Sequence, residues 1–159
     1  NAPGAARPWQ HVLDGLGGVL LLAARLWDGT APRRRYDFGR AAPAEAETVR
    51  TVVERFLTEY GYPDWPIDAR GDGAGDRIGL GSAAAAADLG WRPVWDLDGT
   101  LRAAARWYRT ARDEPDRLAA VTDEQIDQYA AAARTAWGPA TTTGSTARAP
   151  GGRLIPSGA

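Results

Sequence analysis

The sequence predicts an α/β chain that is mainly helical with a few short strands, and three observations carry that prediction. Apolar residues recur at three- and four-residue spacing near residues 11–27, 44–60, 98–112 and 122–137, the signature of helices with one buried stripe. Short apolar or aromatic runs of strand length fall at 36–39, 65–69 and 77–80, too irregularly placed among the helices for a parallel sheet. The composition is globular: 159 residues, 44% hydrophobic and 25% charged, which is enough chain for one domain with a core.

Each element has its own reason. Residues 1–10 are Pro/Ala-rich and extended around Pro3 and Pro8, since proline disfavours helix just before itself. From His11 a helix follows through Val12, Leu13, Leu16, Val19, Leu20, Ala23, Ala24 and Trp27. Gly15, Gly17 and Gly18 each weaken it by up to about 1 kcal/mol, and in an apolar helix they announce close packing. Asp28-Gly29 ends it, with Gly29 suited to a left-handed conformation. A loop with Pro32 and Arg33-Arg34-Arg35 leads to the aromatic strand expected at 36–39. Over 44–60, Val49, Val52, Val53, Phe56, Leu57 and Tyr60 make one stripe, with Glu45, Glu47, Arg50, Glu54 and Arg55 opposite and Gly61 as the stop. Two short strands, 65–69 and 77–80, flank the Gly/Asp run at 71–76. Ser82 is placed to cap a short helix through Asp88, which Leu89-Gly90 ends. After Trp91-Arg92-Pro93, a helix starts at Asp98 or Gly99 with Leu101, Ala104, Ala105, Tyr108 and Ala111 inward. The last helix opens on Thr122-Asp123-Glu124-Gln125, which fits a capping box, and turns Ile126, Tyr129, Ala130, Ala133 and Trp137 inward. The domain is read as 1–137, with a disordered Thr/Gly/Ser/Pro tail over 138–159.

The absences exclude whole classes of chemistry. There is no Cys, so disulfides, thiolate metal sites and a cysteine nucleophile are out. One His, His11, leaves no multi-histidine zinc site, and no metal-binding residue is assigned. All 19 basic residues are arginine, which removes the central lysine of P-loop and Schiff-base sites. A net charge of −1 supports neither a nucleic-acid nor a membrane-surface partner. The longest apolar run, Val19 to Ala24, falls far short of the roughly 20 residues a bilayer span needs. The expectation is a cytoplasmic chain; one that opens at Asn1 without Met reads as processed or as a piece of something longer.

Several motifs have a bland reading that outweighs the sharp one. Asp96-Leu97-Asp98-Gly99-Thr100 matches the opening of haloacid-dehalogenase phosphatases, but Pro93 spoils the buried strand that should precede it. Asp98 as a helix cap is the better reading. The runs Gly15-Leu16-Gly17-Gly18 and 71–75 both fail to complete G-x-G-x-x-G, and the first lies inside a helix. Asp72 and Asp76 are far short of a cation site, and Arg33 to Arg35 reads as a solvated loop; of the seven tryptophans, Trp9, Trp27, Trp91, Trp95, Trp107 and Trp137 read as core aromatics rather than as a sugar-stacking platform. The cluster Arg7-Pro8-Trp9-Gln10-His11 stands apart, with a cation, a stacking aromatic, an amide and the lone imidazole just ahead of a helix N-terminus. An anion contact fits it, and so does an arginine paired to a surface carboxylate beside a helix-start histidine.

Arg7-Pro8-Trp9-Gln10-His11-Val12-Leu13-Asp14 is followed in order by Leu20-Leu21-Leu22-Ala23, Leu26-Trp27 and Tyr36-Asp37-Phe38-Gly39. Then come Leu89-Gly90-Trp91-Arg92-Pro93-Val94-Trp95-Asp96-Leu97, Trp107-Tyr108-Arg109 and Val121-Thr122 with Gln125-Ile126 and Tyr129. Over residues 1 to about 132 this series resembles the C-terminal substrate domain of the CDP-glucose 4,6-dehydratase family, which are extended short-chain dehydrogenase/reductases. The resemblance implies a lyase of deoxysugar biosynthesis that converts CDP-glucose to CDP-4-keto-6-deoxyglucose. An N-terminal Rossmann domain, absent here, would bind NAD and carry a Tyr-x-x-x-Lys pair, so this chain would hold no cofactor and no catalytic residue. The sugar nucleotide, a CDP-hexose, and that missing domain would be its partners. Arg7 would contact the nucleotide or its diphosphate, with Trp9, Gln10 and His11 lining or supporting that wall, and Arg70 or Arg77 would supply a second grip. Two departures stand out: the family's Leu-Asp-x-Ser-Lys-Ala run reads Leu80-Gly81-Ser82-Ala83-Ala84-Ala85, and 71–76 replaces its Pro/His/Glu stretch. The alternatives are a non-catalytic sugar-nucleotide or protein-binding module, or another NAD-dependent sugar-nucleotide epimerase or dehydratase.

Overall fold

A computed structural model describes residues 3–40, 46–67 and 76–138 of the chain. The described residues are mainly helical: β1 (Ala6–Arg7), α1 (Val12–Trp27), β2 (Glu47–Thr48), α2 (Val49–Tyr60), α3 (Ala83–Leu89), α4 (Leu97–Asp113) and α5 (Leu118–Trp137), with a 3-10 turn at Pro115–Arg117 before α5. β1 and β2 pair antiparallel, Ala6 opposite Thr48 and Arg7 opposite Glu47, and Ala6 also makes a parallel bridge to Arg77. Among the described residues no helix is long and apolar enough to cross a membrane.

Two apolar clusters hold the elements together. Val52, Leu97 and Leu101 join α2 to α4, with Trp9 and Phe56 packed against them. Ala85, Leu89 and Trp91 make the other, covered by Leu21, Leu22, Tyr36, Phe38 and Trp137. Asp14 of α1 is wholly buried: its Oδ1 accepts from the Val94 N–H at 2.7 Å and the Tyr129 hydroxyl at 3.0 Å. Its carbonyl accepts from Trp91 Nε1 at 3.2 Å. One carboxylate thus ties α1, the segment before α4, and α5.

The helix ends follow their capping chemistry, with corrections. The Thr48 hydroxyl accepts from the Thr51 N–H, so α2 starts at Val49 rather than at 44, and 47–48 pair with β1 instead. α4 is capped by Asp96, whose Oδ1 accepts from the Gly99 N–H at 2.7 Å; Asp98 is not the cap and pairs with Arg55. Ser82 precedes α3 but gives no side-chain cap. The capping box at Thr122 does not form, because α5 begins at Leu118 and Thr122 lies inside it. There its hydroxyl donates to the Leu118 carbonyl and accepts from Trp107 Nε1. Gly29, Gly61 and Gly90 follow α1, α2 and α3 with positive φ, as expected of left-handed stops.

The strand expectations fare worse. Residues 36–39 are not a strand: the Phe38 carbonyl accepts from the Gln10 side chain, and the Phe38 ring packs edge-on to Trp91 with centroids 5.2 Å apart. The expected strand 77–80 shrinks to the single bridge at Arg77, and 65–67 are not a strand; 68–69 lie outside the described residues. The expected tail lies outside them beyond Gly138.

α1 is turned inside out relative to its stripe. Asp14 and Gly18 face inward, whereas Val12, Leu16, Val19, Leu20 and Trp27 are exposed, Trp27 at 91%. The glycines make this possible. A Cβ on Gly18 would meet the Phe38 ring at 2.5 Å, and one on Gly17 would meet Trp137 at 2.7 Å, so aromatic rings lie directly on the helix backbone. Tyr108 and Ile126, both expected inward, are also exposed, and so is Trp65.

Candidate anion-binding site

Arg7 is positioned by the smallest possible sheet. Ala6 is fully buried, its N–H donating to the Asp76 carbonyl and its carbonyl accepting from the Ile78 N–H, both at 3.1 Å. Strand alternation therefore turns Arg7 the other way, half-buried, with Nη1 donating to the carbonyls of Ala6 (2.9 Å) and Asp76 (2.8 Å). Two residues on, Trp9 packs on the Val52–Leu97–Leu101 cluster, and its Nε1 donates to the Glu47 carbonyl at 3.2 Å.

Arg7 and Trp9 line one cavity of about 120 Å³, shared with Arg40, Glu47, Arg55 and Leu97. Arg40 reaches it from the loop after α1 and donates to the Trp95 carbonyl. Arg55 reaches it from α2 and pairs with Asp98 at the start of α4. Among the described residues, three guanidiniums thus face one carboxylate around the opening. Arg77 comes alongside β1 through its bridge to Ala6, with Nη2 on the Ala46 carbonyl at 3.1 Å. Arg70 lies outside the described residues.

Gln10 and His11 go elsewhere. Gln10 Nε2 donates to the Phe38 carbonyl at 2.9 Å. His11 caps α1, its Nδ1 accepting from the Leu13 N–H at 3.3 Å, and its ring stands edge-on to Trp95 with centroids 4.7 Å apart. Burial holds the imidazole below its ordinary range, in keeping with an unprotonated Nδ1 that accepts. Both residues line a larger, apolar cavity of about 480 Å³ between α1, α4 and α5, with Leu16, Trp107, Tyr108 and Ile126 on its walls. The pentad singled out in the sequence is therefore split between a cationic and an apolar cavity. Sequence reasoning missed Arg40 and Arg55. The apolar stripe of its helix puts Arg55 on the polar face, and only the packing of α2 on α4 brings it to Arg7.

The described residues do not fit a dinucleotide cofactor. Such a group needs glycines in a strand-to-helix turn whose N–H groups face phosphate. Here Gly17 and Gly18 are mid-helix and covered by Tyr129, Trp137 and Phe38.

No family model matches the chain. It is similar to the CDP-glucose 4,6-dehydratase of Salmonella typhimurium, 30% identical over 135 residues. The match takes in 83% of this chain and 37% of that relative, so the chain spans little more than a third of the relative's length. This weak homology makes most of the chain a region like part of a sugar-nucleotide dehydratase.

Proposed function

We propose that this chain is the substrate-binding portion of an NAD-dependent sugar-nucleotide 4,6-dehydratase, a lyase of deoxysugar biosynthesis resembling CDP-glucose 4,6-dehydratase and acting in the cytoplasm. The observation that carries the reading is Arg7, the first residue of the run that opens the resemblance, at a cavity ringed by arginines. A guanidinium there binds a diphosphate through paired, charge-assisted hydrogen bonds. Arg77 bridges to Ala6 and does not line this cavity, so the second grip assigned to it would lie beyond the cavity itself. Trp9 offers the indole that backs it. The lyase step itself falls outside this chain, which has no lysine for a Tyr-x-x-x-Lys pair.

The test is Arg7→Ala in the full-length protein. Loss of a charged hydrogen bond of about 1.5–3 kcal/mol should lower kcat/KM for CDP-glucose at least about tenfold, chiefly through KM. An unchanged kcat/KM would remove Arg7 from the substrate. Turnover of CDP-glucose by the 159-residue chain with NAD alone would overturn the division of labour.

A second reading, a non-catalytic binding module, draws on the outward apolar face of α1, which fits a protein contact. Saturable CDP binding by a protein whose full-length form turns over no sugar nucleotide would favour it.

A further inference from the structure

The cationic cavity has a composition that its internal contacts do not account for. Among the described residues, Arg7 and Arg40 donate to backbone carbonyls, not to a carboxylate within hydrogen-bond reach. A neutral carbonyl satisfies a donor without cancelling its charge. Arg40 also feels the buried Asp14, and Glu47 is the one acid among the described residues of the lining. Asp98 holds Arg55 from the side, both being substantially exposed. At about 120 Å³ the space equals some four water molecules, at roughly 30 Å³ each. That is room for one phosphate group, with any carrier lying outside the cavity.

We propose that Arg40 and Arg55 complete, with Arg7, a receptor for a single phosphoryl group, and that Asp98 occupies Arg55 as an internal competitor until the anion displaces it. The ligand class is a phosphate or one phosphoryl of a diphosphate. The proposal rests on the sugar-nucleotide reading only for the identity of the carrier. Three separate elements supply the three cations: the strand β1, the loop after α1, and helix α2. Their convergence orients a fork of donors on one point, and the Trp9 indole and Leu97 wall off one side from water. The surface ion pair Arg55–Asp98 is of the weak, solvent-screened kind, so an anion held by three guanidiniums outcompetes it. The competitor keeps Arg55 extended toward α4 between binding events.

The experiment is calorimetric titration of the 159-residue chain with inorganic phosphate, pyrophosphate and CDP, on wild type and on Arg40→Gln, Arg55→Gln and Asp98→Asn. Circular dichroism melts confirm that each variant is folded. Pyrophosphate should bind saturably and weaken as salt rises. Arg55→Gln and Arg40→Gln should each weaken it, by about fivefold or more given partial exposure. Asp98→Asn should tighten it about two- to fivefold, a gain that a purely structural pair would not produce. If Arg40→Gln fails to fold, the Arg55→Gln loss and the Asp98→Asn gain still decide the matter. Absence of saturable pyrophosphate binding, or binding indifferent to Arg55 and Asp98, overturns the proposal. Pyrophosphate binding with no further gain from CDP upholds the receptor and removes the nucleotide reading. CDP binding without a pyrophosphate contribution does the reverse.

Discussion

Asp14 shows how a single polar side chain organises this molecule. It is fully buried, Oδ1 takes two hydrogen bonds, and Oδ2 has none among the described residues. Burial pushes its carboxyl above the usual range, against the opposing pull of the Val94 N–H, the Tyr129 hydroxyl and Arg40. The Tyr129 hydroxyl is pushed up as well, by burial and by the adjacent carboxylate. The sign for stability follows directly. With a folded value above the unfolded 3.8, the fold binds the extra proton, so the Asp14 contribution falls as pH rises from 3.8 through the folded value. Asp14→Asn keeps one acceptor oxygen and removes the titration. Its stability relative to wild type should therefore improve as pH rises above about 4 and level off once Asp14 is ionised in the fold, as measured by urea unfolding. His11, whose own contribution is lost as pH falls below 6.5, is common to both proteins and cancels in the difference. Asp14→Ala strands the Val94 N–H and the Tyr129 hydroxyl and should cost about 3 kcal/mol near pH 4, less as pH rises because it too removes the titration. A flat Asn-minus-wild-type profile would mean that Asp14 is not desolvated as the geometry requires.

At the scale of elements, α1 separates glycines that look alike in sequence. A methyl group added at Gly15 would meet nothing nearer than Gln10 Nε2 at 3.7 Å, an ordinary contact, whereas Gly18 is pressed against Phe38. Gly15→Ala should thus stabilise by up to about 1 kcal/mol through helix propensity. Gly18→Ala gains the same propensity but drives Phe38 off Trp91, and overpacking of about 1–3 kcal/mol should leave it net destabilised. Thermal melts with opposite signs would confirm the two environments; equal signs would refute them. Helices were legible because their apolar spacing and glycine stops are local, Gly29, Gly61 and Gly90 needing only their own turn, whereas the caps expected at Ser82, Asp98 and Thr122 did not form. The strands were not, since 6–7 and 47–48 exist only by pairing across some 40 residues of chain, and two-residue strands carry no period. Asp98 is the α4 cap expected from sequence, but Asp96 caps the helix and Asp98 pairs with Arg55 on α2, a contact across elements that no local pattern shows. The site shows the same limit. Arg7 stood out within its motif, while Arg40 and Arg55 had no distinguishing neighbours and became visible only when the α2–α4 contact assembled the cavity.

The whole molecule presents two surfaces of opposite chemistry. Arginines ring the small cavity between β1, α2 and the start of α4, while the outward face of α1 carries Val12, Leu16, Val19, Leu20 and Trp27 with no charged side chain among them. The apolar cavity beside Tyr108 and Ile126 opens at the N-terminal end of that face. A helix whose polar residue is inside and whose large apolar residues are outside is stable in water only at the cost of an exposed patch, and such patches mark contact surfaces. The inversion has a structural origin: Gly17 and Gly18 admit the rings of Trp137 and Phe38 onto the helix backbone, and Asp14 anchors the same inward side, which forces the leucine-rich side out. The consequence is measurable without knowing what covers the patch. Leu20 is 70% exposed, so Leu20→Glu removes little packing and should leave the unfolding free energy within about 0.5 kcal/mol. It should nonetheless lower binding of an apolar dye such as ANS and reduce concentration-dependent association in light scattering. Leu89→Ala, which empties a buried position, should do the opposite, costing about 2–5 kcal/mol and increasing dye binding. If Leu20→Glu destabilised the chain as Leu89→Ala does, the outward face of α1 would be an inward one, and the orientation of the helix that separates the two surfaces would be wrong.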